Sequence, residues 1–270
     1  MTVSKEQKIV VFTELKDSDQ GLIVHGLKLA SIFKKELCLL YNYRPKQKKQ
    51  HDEFKQKLQN YAAIVKQEVA KQKVSTLLLS ESQTQLPDLL AEDYEAIIVV
   101  VNSLNFKDYS TALAETSIPF LFVHPESKIM DYNHLLQPID LRKEISDSSL
   151  WCSYFGRFNA AQIVSISAND KTREAKQNVL KNTELTRKLY EKFKIVHKRF
   201  RGSKSSLRNV FEALELALAS DCNLLVILGS SNITPLDLLI GLPERKVIKG
   251  AGKLPVMVIN PRKDNYILCD

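Results

Sequence analysis

The sequence predicts two tandem α/β domains, each a parallel sheet with helices on both faces. Three observations carry this. The second half of the 270-residue chain repeats the first. Short continuous apolar runs alternate with stretches whose apolar positions recur at helical spacing. Both copies also close on the same proline-led strand, "SIPFLFVHP" from Ser117 and "KLPVMVINP" from Lys253. A repeat unit of roughly 130 residues is a whole domain and not a solenoid turn.

The elements follow in order. "KIVVFTELKDSD" from Lys8 and "HLLQPIDLRKEIS" from His134 each read as a strand, an acidic residue at its end and a helix start. "ELCLLYNY" from Glu36 matches "AQIVSISA" from Ala161, and "EAIIVVVNS" from Glu95 matches "CNLLVILGS" from Cys222. Strands apolar along their whole length, with helices between them, belong in a parallel sheet covered on both sides. Phe54, Leu58, Tyr61, Val65 and Val69 predict one helical stripe. Leu150, Trp151, Tyr154, Phe155 and Phe158 predict an aromatic packing face, and Leu185, Leu189 and Phe193 mark the next helix. Ser205 or Ser206 suits the N-cap of "LRNVFEALELALAS". The polar joint "HPESKIMDYN" divides the chain into domains 1–131 and 132–270.

Bulk composition excludes several classes. With 26% charged and 44% hydrophobic residues the chain is globular and not disordered. The N-terminus lacks the pattern of a signal peptide, and no apolar run approaches the roughly 18 residues that cross a bilayer. The cysteines Cys38, Cys152, Cys222 and Cys269 are scattered without metal-ligand spacing. Cys38 and Cys222 fall in runs that read as strands. A reduced, cytoplasmic protein without a membrane partner or metal is expected. The net charge of +8 concentrates between Arg44 and Lys73. There it occupies the solvated face of the helix carrying Phe54 and Leu58, without a nucleic-acid-binding motif, so no nucleic-acid partner is expected.

Catalytic motifs are missing. There is no GxSxG, HExxH, GxxxxGK[ST] or GxGxxG, and the five histidines, His25 and His197 included, read as surface or packing residues. In open α/β sheets, ligands collect beyond the carboxyl ends of the strands where strand order reverses. This directs attention to Pro138, Ile139 and Asp140, and to Gly229–Asn232. Asp140 could accept hydrogen bonds from a ribose, and backbone N–H groups after Gly229 could donate to phosphate oxygens. The equivalent positions in the first copy are Thr13, Glu14 and "NSLNF". "RFRGSKSSLR" offers Arg199, Arg201, Lys204 and Arg208 either as an anion site or as solvated loop charge. The bland alternative makes Gly229 and Gly241 turn and packing glycines and Asp140 a helix N-cap.

Through the five-strand repeat, the acidic residue ending strand one, the "RGSKSSLRNVFEALELALASDCNLLVILGS" run and the terminal "LPVMVINP", the whole chain resembles a tandem universal stress protein. The resemblance implies two doubly wound five-stranded sheets of order 3-2-1-4-5, Rossmann-like and of the adenine nucleotide alpha hydrolase type. It implies that the two copies pair through their fifth strands, with homodimerisation a further option. Nucleotide-binding members carry Gly-x-x-Gly, nine residues, then Gly followed by Ser or Thr. Here Gly229 keeps the first position, Asn232 replaces the second glycine, and Leu242 and Pro243 follow Gly241. The first copy lacks residues where that loop would lie. The reading is therefore a non-catalytic, cytosolic stress-response binding or signalling module with protein partners and no required cofactor. The alternative is an ATP- or AMP-binding member, with slow hydrolysis as an option. It would use Asp140 for the ribose, Ile166 under the base, and Gly229, Asn232 and Gly241 along the phosphates. An adenylating enzyme on a related fold would need a phosphate motif after strand one, which neither copy has.

Overall fold

A computed structural model describes residues 6–230 and 243–260, apart from the side chains of 111, 114 and 115. Asn232, Gly241, Leu242, Cys269 and the "DNYILCD" tail lie outside the described residues. The chain divides into two compact units after Ile129.

The first unit runs β1 (Lys8–Phe12), α1 (Asp19–Phe33), β2 (Glu36–Asn42), a 3-10 turn (Pro45–Gln50) and α2 (His51–Glu68). It continues through β3 (Val74–Leu79), α3 (Leu86–Glu92), β4 (Ala96–Asn102), a second 3-10 turn (Ser103–Asn105), α4 (Phe106–Glu115) and β5 (Phe120–Val123). All pairings are parallel, in the order β3-β2-β1-β4-β5. The second unit repeats this with β6 (His134–Ile139), α5 (Ile145–Asn159), β7 (Gln162–Ser167), α6 (Arg173–Lys192) and β8 (His197–Arg201). Then come α7 (Asn209–Leu218), β9 (Leu224–Leu228), α8 (Pro243–Ala251) and β10 (Val256–Ile259). Its order is β8-β7-β6-β9-β10, again parallel. Each sheet therefore has the expected 3-2-1-4-5 order. Parallel crossovers are right-handed, so reversing direction after the third strand moves the later helices to the opposite face. The reversal also opens a crevice between the first and fourth strands of each unit.

The central strands are apolar because both faces are covered, whereas the edge strand β8 is mostly charged and exposed. Ile9, Val10 and Val11 are fully buried, as are Leu224, Leu225 and Val226. Gly26 lets α1 approach the sheet, since a Cβ there would stand 2.2 Å from Val11 Cγ2. Helices α1 and α5 both end on a residue in the left-handed conformation, Lys34 and Ala160, at equivalent places in the two copies.

Several helix expectations need correction. Val69 lies one residue beyond α2 and is exposed, and Ala62 completes the buried stripe with Phe54, Leu58 and Val65. Phe158 is also exposed, with the Arg157 guanidinium 5.2 Å from its ring centre. Leu185 is 51% exposed. The inward face of α6 is Val179, Asn182, Thr186 and Tyr190. The reason is Gln137, wholly buried in β6. Its amide donates to Ser148 Oγ and Ser149 Oγ, both at 2.9 Å, and Tyr190 Oη donates to its carbonyl at 2.6 Å. Ser149 in turn meets Thr186 at 2.8 Å. A buried amide demands polar partners, so α6 turns hydroxyls inward and leaves a leucine outside. No serine side chain caps α7; the Ser205 carbonyl receives the N–H groups of Arg208 and Asn209, and the Ser206 hydroxyl turns to Asp170. Cys222 precedes β9 and does not lie within it.

Candidate functional site

In the second unit, the ends of β6 and β9 open on a cleft of about 530 Å³. Its walls include Pro138, Leu141, Val210, Ile227 and Leu228, with Asp140, Arg142, Asp170, Ser230 and Glu244 as polar groups. Two amides hold the strand ends that shape it. Asn209, the first residue of α7, donates to the carbonyls of Ile139 and Ile166, both at 3.0 Å. Asn182 on α6 donates to the carbonyls of Asp140 at 2.8 Å and Arg142 at 2.7 Å.

Asp140 is only 5% exposed, and its carboxylate is occupied. Oδ1 accepts the Arg142 backbone N–H at 2.8 Å, while Oδ2 accepts Nε at 2.9 Å and Nη2 at 2.6 Å. The same guanidinium reaches across the crevice, Nη1 donating to the Gly229 carbonyl at 2.9 Å and Nη2 to that of Leu228 at 3.4 Å. Asp140 thus closes a turn through Arg142 and is not a cap of α5, whose N-cap is Glu144.

Gly229 packs against β10. A Cβ added there would lie 2.1 Å from Asn260 Oδ1 and 3.1 Å from Val258 Cγ1, so a side chain would have to displace Asn260. The next residue, Ser230, donates its backbone N–H at 2.5 Å and its hydroxyl at 2.7 Å to Glu244 Oε1. Glu244 lies in the first turn of α8 and is 2% exposed. Ile166 is buried, pairs in register with Pro138, and is not among the residues lining the cleft. The structure therefore brings Asp140 and Gly229 together through Arg142, and leaves Ile166 behind the wall.

The first unit carries the same device in weaker form. Glu14 Oε2 accepts Lys16 Nζ at 2.9 Å, and Glu14 Oε1 accepts the side-chain amides of Asn102 and Asn105. Thr13 Oγ1 donates to the Leu40 carbonyl at 3.0 Å. Asp19 receives the N–H groups of Glu14 and Lys16, and burial raises its carboxyl pKa despite them. Only Ser103–Asn105 separate β4 from α4, whereas 229–242 separate β9 from α8.

The backbone of the basic loop after β8 is held by nearby carboxylates. Glu212 takes the Ser203 N–H at 2.8 Å and the Lys204 N–H at 3.1 Å, and Asp170 takes the Ser206 N–H at 3.1 Å. Arg201 reaches Asn169 at 3.2 Å, and Arg199 lies 3.6 Å from Glu184. Solvated loop charge is the reading this supports. Among the described residues no cluster of three metal-ligating side chains occurs, and no helix is long and apolar enough to cross a membrane.

No protein-family model matches the chain, and no curated protein does. Solved structures do. A universal stress protein from Archaeoglobus fulgidus DSM 4304 superposes with a TM-score of 0.71 over 94% of this chain and 98% of its own, at 11% identity. The fold is that of the universal stress proteins. A functionally unknown protein from Pseudomonas aeruginosa PAO1 aligns over 95% of this chain and 93% of its own, with a TM-score of 0.55 and 17% identity. A universal stress protein in complex with cAMP covers 46% of this chain and 100% of its own at a TM-score of 0.36, too low to bear on function.

On this universal-stress-protein fold, reading from sequence found the strand ends and Ser230 but missed Arg142, Asn182, Asn209 and Glu244. One signal was available. Glu14-Leu15-Lys16 and Asp140-Leu141-Arg142 repeat an acid–leucine–base triplet at equivalent positions. An ionic group repeated just past a buried strand marks a local pair. Glu244 offered no such signal, because its partner Ser230 comes from the other side of residues 231–242.

Proposed function

We propose that the chain is a non-catalytic universal-stress-protein-type binding module of the cytosol, acting through protein partners in stress adaptation. In this reading its second-unit cleft has turned away from adenine nucleotides. The observation that carries this is the Arg142 bridge. The carboxylate that would receive a ribose holds a guanidinium, and that guanidinium donates to the carbonyls at the end of β9. The first N–H beyond Gly229, where a phosphate oxygen would sit, donates to Glu244.

The residues present do not fit a nucleotide. Its ribose would displace Arg142 and its phosphates would displace Glu244. Hydrogen bonds to charged groups are worth about 1.5–3 kcal/mol each, so each displacement weakens binding roughly tenfold or more. Asp140, Asp170 and Glu244 also place three carboxylates against one guanidinium among the described lining residues, a field that repels phosphate. The first unit passes from β4 to α4 through one 3-10 turn, which leaves no loop to cradle a phosphate. The cytosolic setting is supported by Cys38, Cys152 and Cys222, which are free thiols.

The test is incubation of the protein with ATP and magnesium while phosphate and pyrophosphate release are followed for hours. Release at the blank rate is expected. Sustained turnover that scales with protein and survives repurification would overturn the non-catalytic reading.

A further inference from the structure

Strand β8 pairs with β7 on one side, and no described strand lies beyond it on the other. Alternate residues of β8 face β7: the Val196 carbonyl accepts the Ile163 N–H, and the Gly202 N–H donates to the Ser167 carbonyl. The N–H and C=O groups of His197, Arg199 and Arg201 therefore point away from β7, where an edge strand offers them to another chain. The side chains alternate as well. Val196, Lys198 and Phe200 line a groove of about 210 Å³ with Leu136, Val164 and Leu216. On the opposite face His197 stands against Tyr190 of α6. Arg199 there lies 3.6 Å from Glu184, which Arg187 already holds at 2.9 Å, and Arg201 reaches Asn169 at 3.2 Å.

Charge on an edge strand ordinarily keeps other strands away. From Lys192 to Arg208 the chain carries seven lysines and arginines and no aspartate or glutamate. Such an edge repels a second copy of itself and attracts an acidic strand. Protection alone does not account for the apolar side chains on the same strand. Val196 is 57% exposed and Phe200 50%, both beside the groove. Nor does the fold require the charge, since the equivalent edge strand β3, "VSTLLL", has none.

We propose that the β8 edge docks an extended acidic segment of a partner protein, in which acidic and apolar residues alternate. Its backbone pairs with the outward groups of His197, Arg199 and Arg201. Its apolar side chains lie on the groove face beside Val196 and Phe200, and its carboxylates meet Arg199 and Arg201 on the other. The strand period of two sorts the two kinds of side chain to the two faces. The inference rests on the reading that the chain acts through protein partners, and supplies the surface. A nucleic acid would answer the charge but leave the outward row of amides and carbonyls without a matching strand.

The experiment is fluorescence anisotropy of a labelled Glu-Val-Glu-Phe-Glu-Val-Glu peptide with the full-length protein at low salt. A peptide of the same composition with its glutamates grouped, and an oligo-dT of similar charge, are measured beside it. The variants are Phe200→Ser, Arg199→Gln and Arg199→Pro, all at exposed positions, with circular dichroism checking their fold. Saturable binding of the alternating peptide is expected, about tenfold weaker in Phe200→Ser. Binding should also be weaker in Arg199→Pro than in Arg199→Gln, because both remove the charge and only proline removes an outward N–H. Absence of binding, equal binding of the grouped peptide, or equal affinities of the two Arg199 variants overturns the proposal. Tighter binding of the oligonucleotide than of the peptide overturns it in favour of a nucleic acid. ATP turnover is a separate readout, so failure of the docking proposal leaves the non-catalytic reading standing.

Discussion

Arg142 Nη2 lies 2.6 Å from Asp140 Oδ2, and the same guanidinium ties the end of β6 to the carbonyls that end β9. One side chain thus bridges the two strand ends at the crevice that the reversal of strand order creates. Its counterpart Lys16 pairs with Glu14 within its own turn, and its side chain is 68% exposed.

The two pairs should differ in worth. Truncating Arg142 to alanine strands a carboxylate that is 5% exposed. A loss on the order of 3 kcal/mol is expected, as when one member of a buried pair is removed. Lys16→Ala should cost less than about 1 kcal/mol, as for exposed pairs. Urea unfolding of both variants checks this; equal losses would remove the structural role assigned to Arg142.

Gly229→Ala should destabilise the second unit. Its Cβ would meet Asn260 Oδ1 at 2.1 Å and Val258 Cγ1 at 3.1 Å. Overpacking of this kind costs about 1–3 kcal/mol, visible as a lower urea midpoint. An unchanged midpoint would show that β10 yields freely.

The polar core offers a second test. Tyr190→Phe removes the donor to Gln137 Oε1 and leaves that oxygen buried. The expected loss is about 1–3 kcal/mol. Gln137→Leu in the same protein should recover part of it, because the unsatisfied amide goes too. Additive losses in the double variant would argue that the two side chains do not share one network.

Stability should fall in mild acid. His197 meets Ser165 Oγ at 2.8 Å and stands edge-on to the Tyr190 ring at 4.7 Å. Burial lowers its pKa to about 4, helped by the charge of Arg199 and opposed by that of Glu191. The unfolded chain, with a histidine pKa near about 6.5, takes up a proton that the folded chain refuses. The contribution is therefore full above the unfolded value and lost as pH falls from there towards about 4. Burial lowers His25 as well, in the same direction. The melting temperature of His197→Gln should thus decline less steeply than wild type over that window. A parallel decline would place the acid sensitivity elsewhere.

Much of the fold was legible because its signals are local. Leu224–Leu228 has no polar residue and reads as a strand buried on both faces. The repeat showed which strands correspond, and Asp140 and Gly229 directly follow the last residues of β6 and β9. Leu185 and Leu189 marked α6, but its inward face is set by distant partners: Tyr190 donates to Gln137, and Asn182 to the carbonyls of Asp140 and Arg142. The bridge was missed for a like reason. Arg142 sits two residues from Asp140, but its reach to Gly229 is a tertiary fact. Ile166, expected under a base only if the cleft held a nucleotide, is buried in β7 and does not line the cleft.

The most direct test of the central claim, that Arg142 and Glu244 occupy the places a nucleotide would need, is a melting curve. The protein would be heated with and without millimolar AMP and ATP–magnesium, alongside Arg142→Ala. A ligand at about 100 times its dissociation constant stabilises a fold by about 2.7 kcal/mol, a rise of several degrees. No nucleotide-dependent rise in the wild type is the predicted result. A saturable rise of that size, lost in Asp140→Ala, would contradict it.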